Sequence, residues 1–317
     1  MTPGNSFKGT SGSPMMRDIH AESPDRGRLR LRSVGISGIR KPLTVQRREG
    51  TRTLAVEFHV AVDLPSERKG SDLSRNAEIL AEVVDETVTR PVEGLESACS
   101  AIARELLVRH PYATEASVEA SAEYFLRKGI SEEKRSFEDY TLRADARATR
   151  AAHGAVAMAR SVGAEAVGMT ACPCAMETCR SRLQAEFPLL ARAELEALPI
   201  ITHNQRNRTQ LIFELPGSTE VEADELIAAI EAAQSSPTYA ILKRGDEAQV
   251  VLDAHRHPKF VEDVLRDLLA SLPGRFPSLP DETRVRASTV SEESIHKYNV
   301  EASHQVTFGE LRASARA

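Results

Sequence analysis

The sequence predicts an α+β fold built from two tandem ββααββ modules. Three observations predict it: long stretches alternate apolar and polar residues at every second position, helical stretches interrupt them in pairs, and the order strand, strand, helix, helix, strand, strand can be read twice along 317 residues. A chain of this length forms one large domain or two of ordinary size. The reading places a disordered tail at 1–27, a first module at 28–160, a second at 161–310 and a short tail at 311–317.

The elements follow in order. RLRLRSVGISGIRKPLTV alternates at its start and then meets Gly35, Gly38 and Pro42, as a strand leading into a bend does. TRTLAVEFHVAVDLP is the clearest strand, with Leu54, Val56, Phe58, Val60 and Val62 on one side and Glu57, His59 and Asp63 opposite. SRNAEILAEVVDETV has helical spacing at Ile79, Val83 and Val84, with Ser74 as its expected N-cap. Leu95, Cys99, Ile102, Leu106 and Leu107 give a second helix whose core face includes Cys99. TEASVEASAEYFLRK and FEDYTLRADARATRAAHGAV then read as a hairpin.

In the second half, AHGAVAMARSVGAEAVGMT is ambiguous between helix and strand. Glu177 to Leu198 reads as one or two helices joined at Pro188, with Cys179 in a packing or surface role. RTQLIFELPG reads as a strand, VEADELIAAIEAAQ as a helix, and HPKFVEDVLRDLLASL as a helix with Phe260, Val261, Val264, Leu265, Leu268 and Leu269 on its apolar face. Strands over 283–290 and 299–308 close the unit. His255 and His257 precede Pro258 and are read as exposed, not as a ligand pair.

Composition narrows the function. Hydrophobic residues make up 41% and charged residues 27%, as in ordinary globular proteins. A formal charge of −5 provides no basic excess for a nucleic-acid partner. Four unevenly spaced cysteines do not form a disulfide framework, which points to a reducing, cytoplasmic setting. The first 28 residues contain no apolar run of the kind a signal peptide or membrane anchor needs.

The chemistry-bearing stretch runs from Gly168 to Arg206, opening GMTACPCAMETC and closing THNQR. Cys172, Cys174 and His203 offer soft and borderline ligands that suit zinc or ferrous iron, and Glu247 and His296 can be nominated to complete such a set. The alternative is a small buried patch, since free cysteine is among the most buried residue types and Cys-Pro-Cys lacks the spacing of a zinc finger.

Seven segments together carry a family likeness: VGISGIRKP, KGSDLSRNAE, ACPCA, THNQR, LKRGDE, HPKFVEDVLR and ESIHKYN, spanning about residues 28 to 308. In these the chain resembles the type IB GTP cyclohydrolases, including the archaeal MptA branch. The separation of Cys172 from His203, 31 positions, is closer to that branch, while Asp72 and Tyr298 stand where many bacterial members have His. The resemblance implies a tunnelling fold (T-fold) of two ββααββ modules per chain, assembled as a homotetramer with active sites between subunits.

It also implies hydrolysis of GTP with one divalent metal per site (Fe2+, Mn2+ or Zn2+), releasing formate and forming 7,8-dihydroneopterin triphosphate, the first step of tetrahydrofolate and pterin biosynthesis. The MptA product, a 2′,3′-cyclic phosphate, is one alternative; a non-catalytic purine- or pterin-binding protein is another, and a zinc staple at a subunit interface a third. By motif position, Cys172, His203, Glu247 and His296 bind metal and serve catalysis, with Cys174 in support, and Glu262 receives guanine. Lys69, Ser74 and Arg75, at an expected helix start, are candidates for the triphosphate, with Arg206 a weaker one. The chemistry needs an activated water at C8 and a proton donor to N7, for which His203 or His296 has a suitable side chain.

Overall fold

Alternation sets the sheet. In β2 (Gly50–Leu64), Leu54, Val56, Phe58, Val60 and Val62 are buried while Glu57 and His59 between them are exposed. The same rhythm runs through β3 (Glu115–Lys128) and β4 (Ser136–Arg150), whose pairing joins Ala120 to Ala144 and Tyr124 to Tyr140. The computed structural model describes residues 18–24, 27–47, 50–151, 153–189 and 191–315. Of the tail expected at 1–27, positions 1–17 and 25–26 lie outside the described residues.

The remaining strands are β1 (Leu31–Arg47), β5 (Val156–Ala171), β6 (Asn204–Leu215), β7 (Ser236–Pro237), β8 (Arg284–Ser291) and β9 (Val300–Thr307). They form one nine-stranded sheet in the order β1-β2-β3-β4-β5-β6-β8-β9, every neighbour antiparallel, with β7 pairing to the end of β5. The expected tunnelling fold of two tandem ββααββ modules is therefore corrected. β5 hydrogen-bonds to β4 on one side and to β6 on the other, so both halves share a single sheet. The halves also differ in content: α3 (Pro173–Glu186) and α4 (Arg192–Ala197) separate β5 from β6, and β7 and α6 (Arg244–Arg256) separate α5 (Ala223–Ala233) from α7 (Val261–Arg275).

Helices α1 (Leu73–Thr89), α2 (Leu95–Arg109), α5 and α7 pack onto the buried side of the sheet and complete one core. Cys99 is fully buried there, as its helical spacing predicts. Phe213 of β6 meets Phe276 and Phe308 edge-to-face at 5.2 and 6.4 Å between ring centroids. The last helix, α8 (Phe308–Ser314), is capped by Thr307, whose hydroxyl accepts from the Glu310 N–H. Among the described residues no helix is long and apolar enough to cross a membrane.

Several local expectations change. β1 continues through the expected bend because Gly38, at φ +73°, absorbs a register shift between Ile36 and Ile39. Asp63 is buried at the end of β2, not solvated: its carboxylate accepts from the Thr114 and Glu115 N–H groups, the Thr114 hydroxyl and Arg30. Burial pushes its pKa up, but those donors outweigh burial and leave it below the usual carboxylate value. Ser74 is not the N-cap of α1, which starts one residue earlier behind Asp72. His255 lies in the last turn of α6 and is buried, its Nδ1 2.8 Å from the Val251 carbonyl oxygen, whereas His257 is exposed.

Candidate active site

The ends of β5 and β6 bring the cysteine motif and the THNQR motif together. Cys172 follows β5 directly and precedes α3, whose first residue is Pro173, a residue suited to that position because it has no N–H to leave unpaired. The Cys172 N–H donates to the His203 carbonyl oxygen at 3.1 Å, and the Thr202 hydroxyl donates to the Cys172 carbonyl oxygen at 2.7 Å. α3 and α4 leave and return between these anchors, holding a small core of their own around Met176, Leu195 and Ile200 with Cys179 against it.

These anchors border a cavity of about 210 Å³. Cys172 and His203 line it from the β5 and β6 ends, Glu262 from the first turn of α7, and Glu293, His296 and Tyr298 from the segment after β8. His203 and His296 stand perpendicular with ring centroids 6.3 Å apart, and His296 stacks on Tyr298 at 5.0 Å. His203 Nδ1 is 2.9 Å from Gln205 Oε1 and 3.7 Å from Glu293 Oε2. Lys259 also lines the cavity, but its ammonium donates to the Ala233 carbonyl oxygen and pairs with Asp267, both at 2.7 Å.

Behind the cavity the sheet interior is polar. Asn207 donates to Gln234 Oε1 and to the Thr289 hydroxyl, each at 2.8 Å, and all three side chains are buried. Gly168 makes room for this network, since a Cβ there would lie 2.3 Å from Gln234 Cγ.

Cys172, His203, His296 and Glu262 thus share one cavity. The other sequence candidates do not line it. Cys174 is exposed in the first turn of α3, Glu247 is exposed in the first turn of α6, and Arg206 points away from its buried neighbour Gln205 on β6. Lys69, Ser74 and Arg75 sit where β2 leads into α1. There Arg75 pairs with Asp72 at 3.2 Å and donates to the Arg109 carbonyl oxygen. Arg266, one helical turn after Glu262, pairs with Asp263.

Sequence reasoning passed over Glu293, Gln205 and Lys259. All three lie inside the segments ESIHKYN, THNQR and HPKFVEDVLR, so the signal was present beside the residues chosen.

Thiol and imidazole donors fit a borderline divalent ion. A metal-binding His also holds its second ring nitrogen on an oxygen acceptor, as Gln205 provides for His203. Among the described residues the one trio whose ligand atoms lie within 4.8 Å of one another is elsewhere, Asp18, His20 and Asp72. Arg68 and Arg75 both pair with Asp72 there, setting two positive charges against any cation. Another cavity, of about 810 Å³, lies on the open face of the sheet between charged side chains such as Glu57, Glu119, Arg143 and Arg286, away from the cysteines.

Comparison with known proteins finds relatives that align along most of the chain. Relatives include GTP cyclohydrolase MptA of Methanococcoides burtonii, 36% identical over 303 residues with 93% of this chain and 95% of the relative covered. GTP cyclohydrolase MptA 2 of Methanocella arvoryzae is 39% identical over 292 residues, covering 90% and 94%. Among solved structures the fold is similar to the uricase of Arthrobacter globiformis, with a TM-score of 0.51 over 87% of this chain and 93% of that one at 8% identity. Residues 16–302 match the family described as type I GTP cyclohydrolase folE2. The chain belongs to that GTP cyclohydrolase family.

Proposed function

We propose that the chain hydrolyses GTP, expelling C8 as formate and forming 7,8-dihydroneopterin triphosphate. The observation that carries this reading is the convergence of Cys172, His203, His296 and Glu262 in one cavity from four separate segments. Cys172, His203 and His296 would hold one divalent ion, Fe(II), Mn(II) or Zn(II). Bound, such an ion lowers the pKa of a water molecule to about 7 and so makes hydroxide accessible near neutrality.

The chain's own groups do the rest. The Glu262 carboxylate can accept two parallel hydrogen bonds, from guanine N1–H and the exocyclic amine, which fixes the purine's orientation. His296, stacked on Tyr298, would leave the ion to Cys172 and His203 and give a proton to N7 as negative charge develops there. Cavities that enclose whole ligands run from about 300 Å³ upward. The 210 Å³ here suits the base, with ribose and triphosphate outside. The cavity's own lysine, Lys259, is already paired. Lys69 and Arg75, at the lead into α1, would reach the triphosphate from a neighbouring copy in a homotetramer, Arg75 exchanging its Asp72 partner for phosphate, and Glu247 and Arg206 would lie near such a junction.

A second product is supported by the names of the relatives: MptA enzymes of two archaea align along almost the whole chain. In that reading the triphosphate closes to a 2′,3′-cyclic phosphate with loss of pyrophosphate. Anaerobic incubation with GTP after reconstitution with Fe(II), Mn(II) or Zn(II) tests both, by formate assay and mass of the pterin. A triphosphate supports the first reading and a cyclic monophosphate the second. Absence of formate with every metal, from a folded assembly, would overturn the enzyme reading.

A further inference from the structure

His203 and four side chains around it form a closed ring of close contacts. His203 Nδ1 lies 2.9 Å from Gln205 Oε1, Gln205 Nε2 donates to Thr170 Oγ1 at 3.1 Å, and Thr170 Oγ1 is 3.4 Å from Ser291 Oγ. Ser291 donates to Glu293 Oε1 at 2.9 Å, and Glu293 Oε2 returns to within 3.7 Å of His203 Nδ1. Thr170, Ser291 and Gln205 are buried, at 1, 2 and 9% exposure. Water does not compete freely for their hydrogen bonds.

Counting protons gives the ring a direction. Glu293, as a carboxylate, accepts and does not donate, so the single hydroxyl proton of Ser291 is committed to it. Ser291 Oγ then acts as acceptor toward Thr170, which commits the single proton of Thr170. Thr170 Oγ1 in turn accepts from an amide N–H, which turns Nε2 of Gln205 toward Thr170 and Oε1 toward His203. The opposite orientation of the amide would leave Thr170 and Ser291 facing each other lone pair to lone pair. Oε1 has no proton to give, so the proton in the last bond is on Nδ1 of His203.

We propose that Glu293, Ser291, Thr170 and Gln205 form a directional hydrogen-bond relay that fixes His203 as the Nδ1–H tautomer and presents the lone pair of Nε2 to the cavity. The inference rests on the reading of His203 as a metal ligand only for its consequence; the tautomer itself follows from the ring. Thr170 and Ser291 are positioning residues: they act on His203 through Gln205 and Glu293. Both side chains also border the cavity, and nearly isosteric changes there remove the relay while leaving Cys172, His203, His296 and Glu262 in place.

The test uses the full-length, metal-free protein labelled with 15N at histidine, the His203 resonances being assigned by their loss in His203→Gln. Wild-type protein is expected to show a protonated Nδ1 and a bare Nε2. Thr170→Val is expected to give a mixture of tautomers and a ten- to hundredfold loss of Mn(II) affinity, the range for outer-shell partners of metal-ligating His, with the melting transition retained. Thr170→Ser restores both readouts, and Ser291→Ala reproduces the defect if Thr170→Val does not fold. A protonated Nε2 in the wild type, or relay variants with unchanged spectrum and Mn(II) affinity, would overturn the relay. Neither measurement uses GTP, so a protein that forms no formate yet shows the Nδ1–H form keeps the relay and loses the cyclohydrolase reading.

Discussion

Cys172 and His203, 31 positions apart in sequence, are joined main chain to main chain by a 3.1 Å hydrogen bond from the Cys172 N–H to the His203 carbonyl oxygen. That bond is independent of the Cys172 side chain, so the thiol can be removed without opening the junction. Cys172→Ala is expected to lower formate release more than about a hundredfold, beyond the upper range for loss of an outer-shell metal partner. Its melting temperature and oligomeric state should match the wild type. If the thiol were a structural staple, assembly or melting would fall instead, which size-exclusion chromatography and calorimetry would report.

Glu262 lines the cavity, while Arg266, one helical turn further on, pairs with Asp263. The carboxylate is thus not spent on that pair, in keeping with a role toward guanine. Glu262→Gln exchanges one acceptor for a donor, and a hydrogen bond involving a charged group contributes about 1.5–3 kcal/mol. The expected result is a fall of roughly ten- to a hundredfold in kcat/KM for GTP. Arg266→Ala should change it little. Equal behaviour of the two variants would return Glu262 to an ordinary surface role.

The strands were legible where burial is one-sided. Leu54 to Val62 alternate in sequence because one face of β2 meets helices and the other does not. β5 was ambiguous for a physical reason: Ala157, Ala159, Ala164 and Ala166 have good helix propensity, and only pairing with β4 and β6 makes that segment a strand. Asp63 broke the alternation because the Thr114 and Glu115 amides solvate it internally, a long-range contact that local pattern does not encode. At the site, residue types with distinctive chemistry, Cys172, His203 and His296, stood out in the sequence. Glu293 and Gln205 did not, since their interest comes from distances to His203 that only the fold sets.

His110 should make stability depend on pH. Its imidazole is fully buried, with Nε2 2.7 Å from Asn76 Oδ1 and Nδ1 2.9 Å from the Tyr112 hydroxyl. Burial, and then the charges of Arg75 and Arg68 against that of Asp72, hold its pKa below the ordinary value of 6.5. The unfolded chain therefore takes up the proton first as pH falls. The stabilisation is complete above about pH 6.5 and is lost progressively below it, toward the depressed folded value. Urea midpoints compared at pH 7.5 and 5.5 should fall more in the wild type than in His110→Gln. Parallel pH dependences in the two proteins would remove His110 as the cause.

Phe213 separates stability from catalysis. It is fully buried on β6, edge-to-face with Phe276 beyond α7 and with Phe308 at the start of α8, so one ring ties three elements together. Loss of a buried aromatic ring costs about 3–5 kcal/mol, through lost transfer energy and the cavity left behind. Phe213→Ala is expected to lower the free energy of unfolding by that amount, read from denaturant titration. Gln205 is on the same strand eight residues earlier, about 27 Å away at the usual rise of an extended chain, and the intervening pairing with β5 and β8 remains intact. Metal affinity and turnover per folded molecule should therefore stay within about twofold of wild type, because the two effects act at sites too far apart to couple. Loss of metal affinity in a variant that is still folded at the assay temperature would mean that the aromatic cluster and the His203 end of β6 move as one unit.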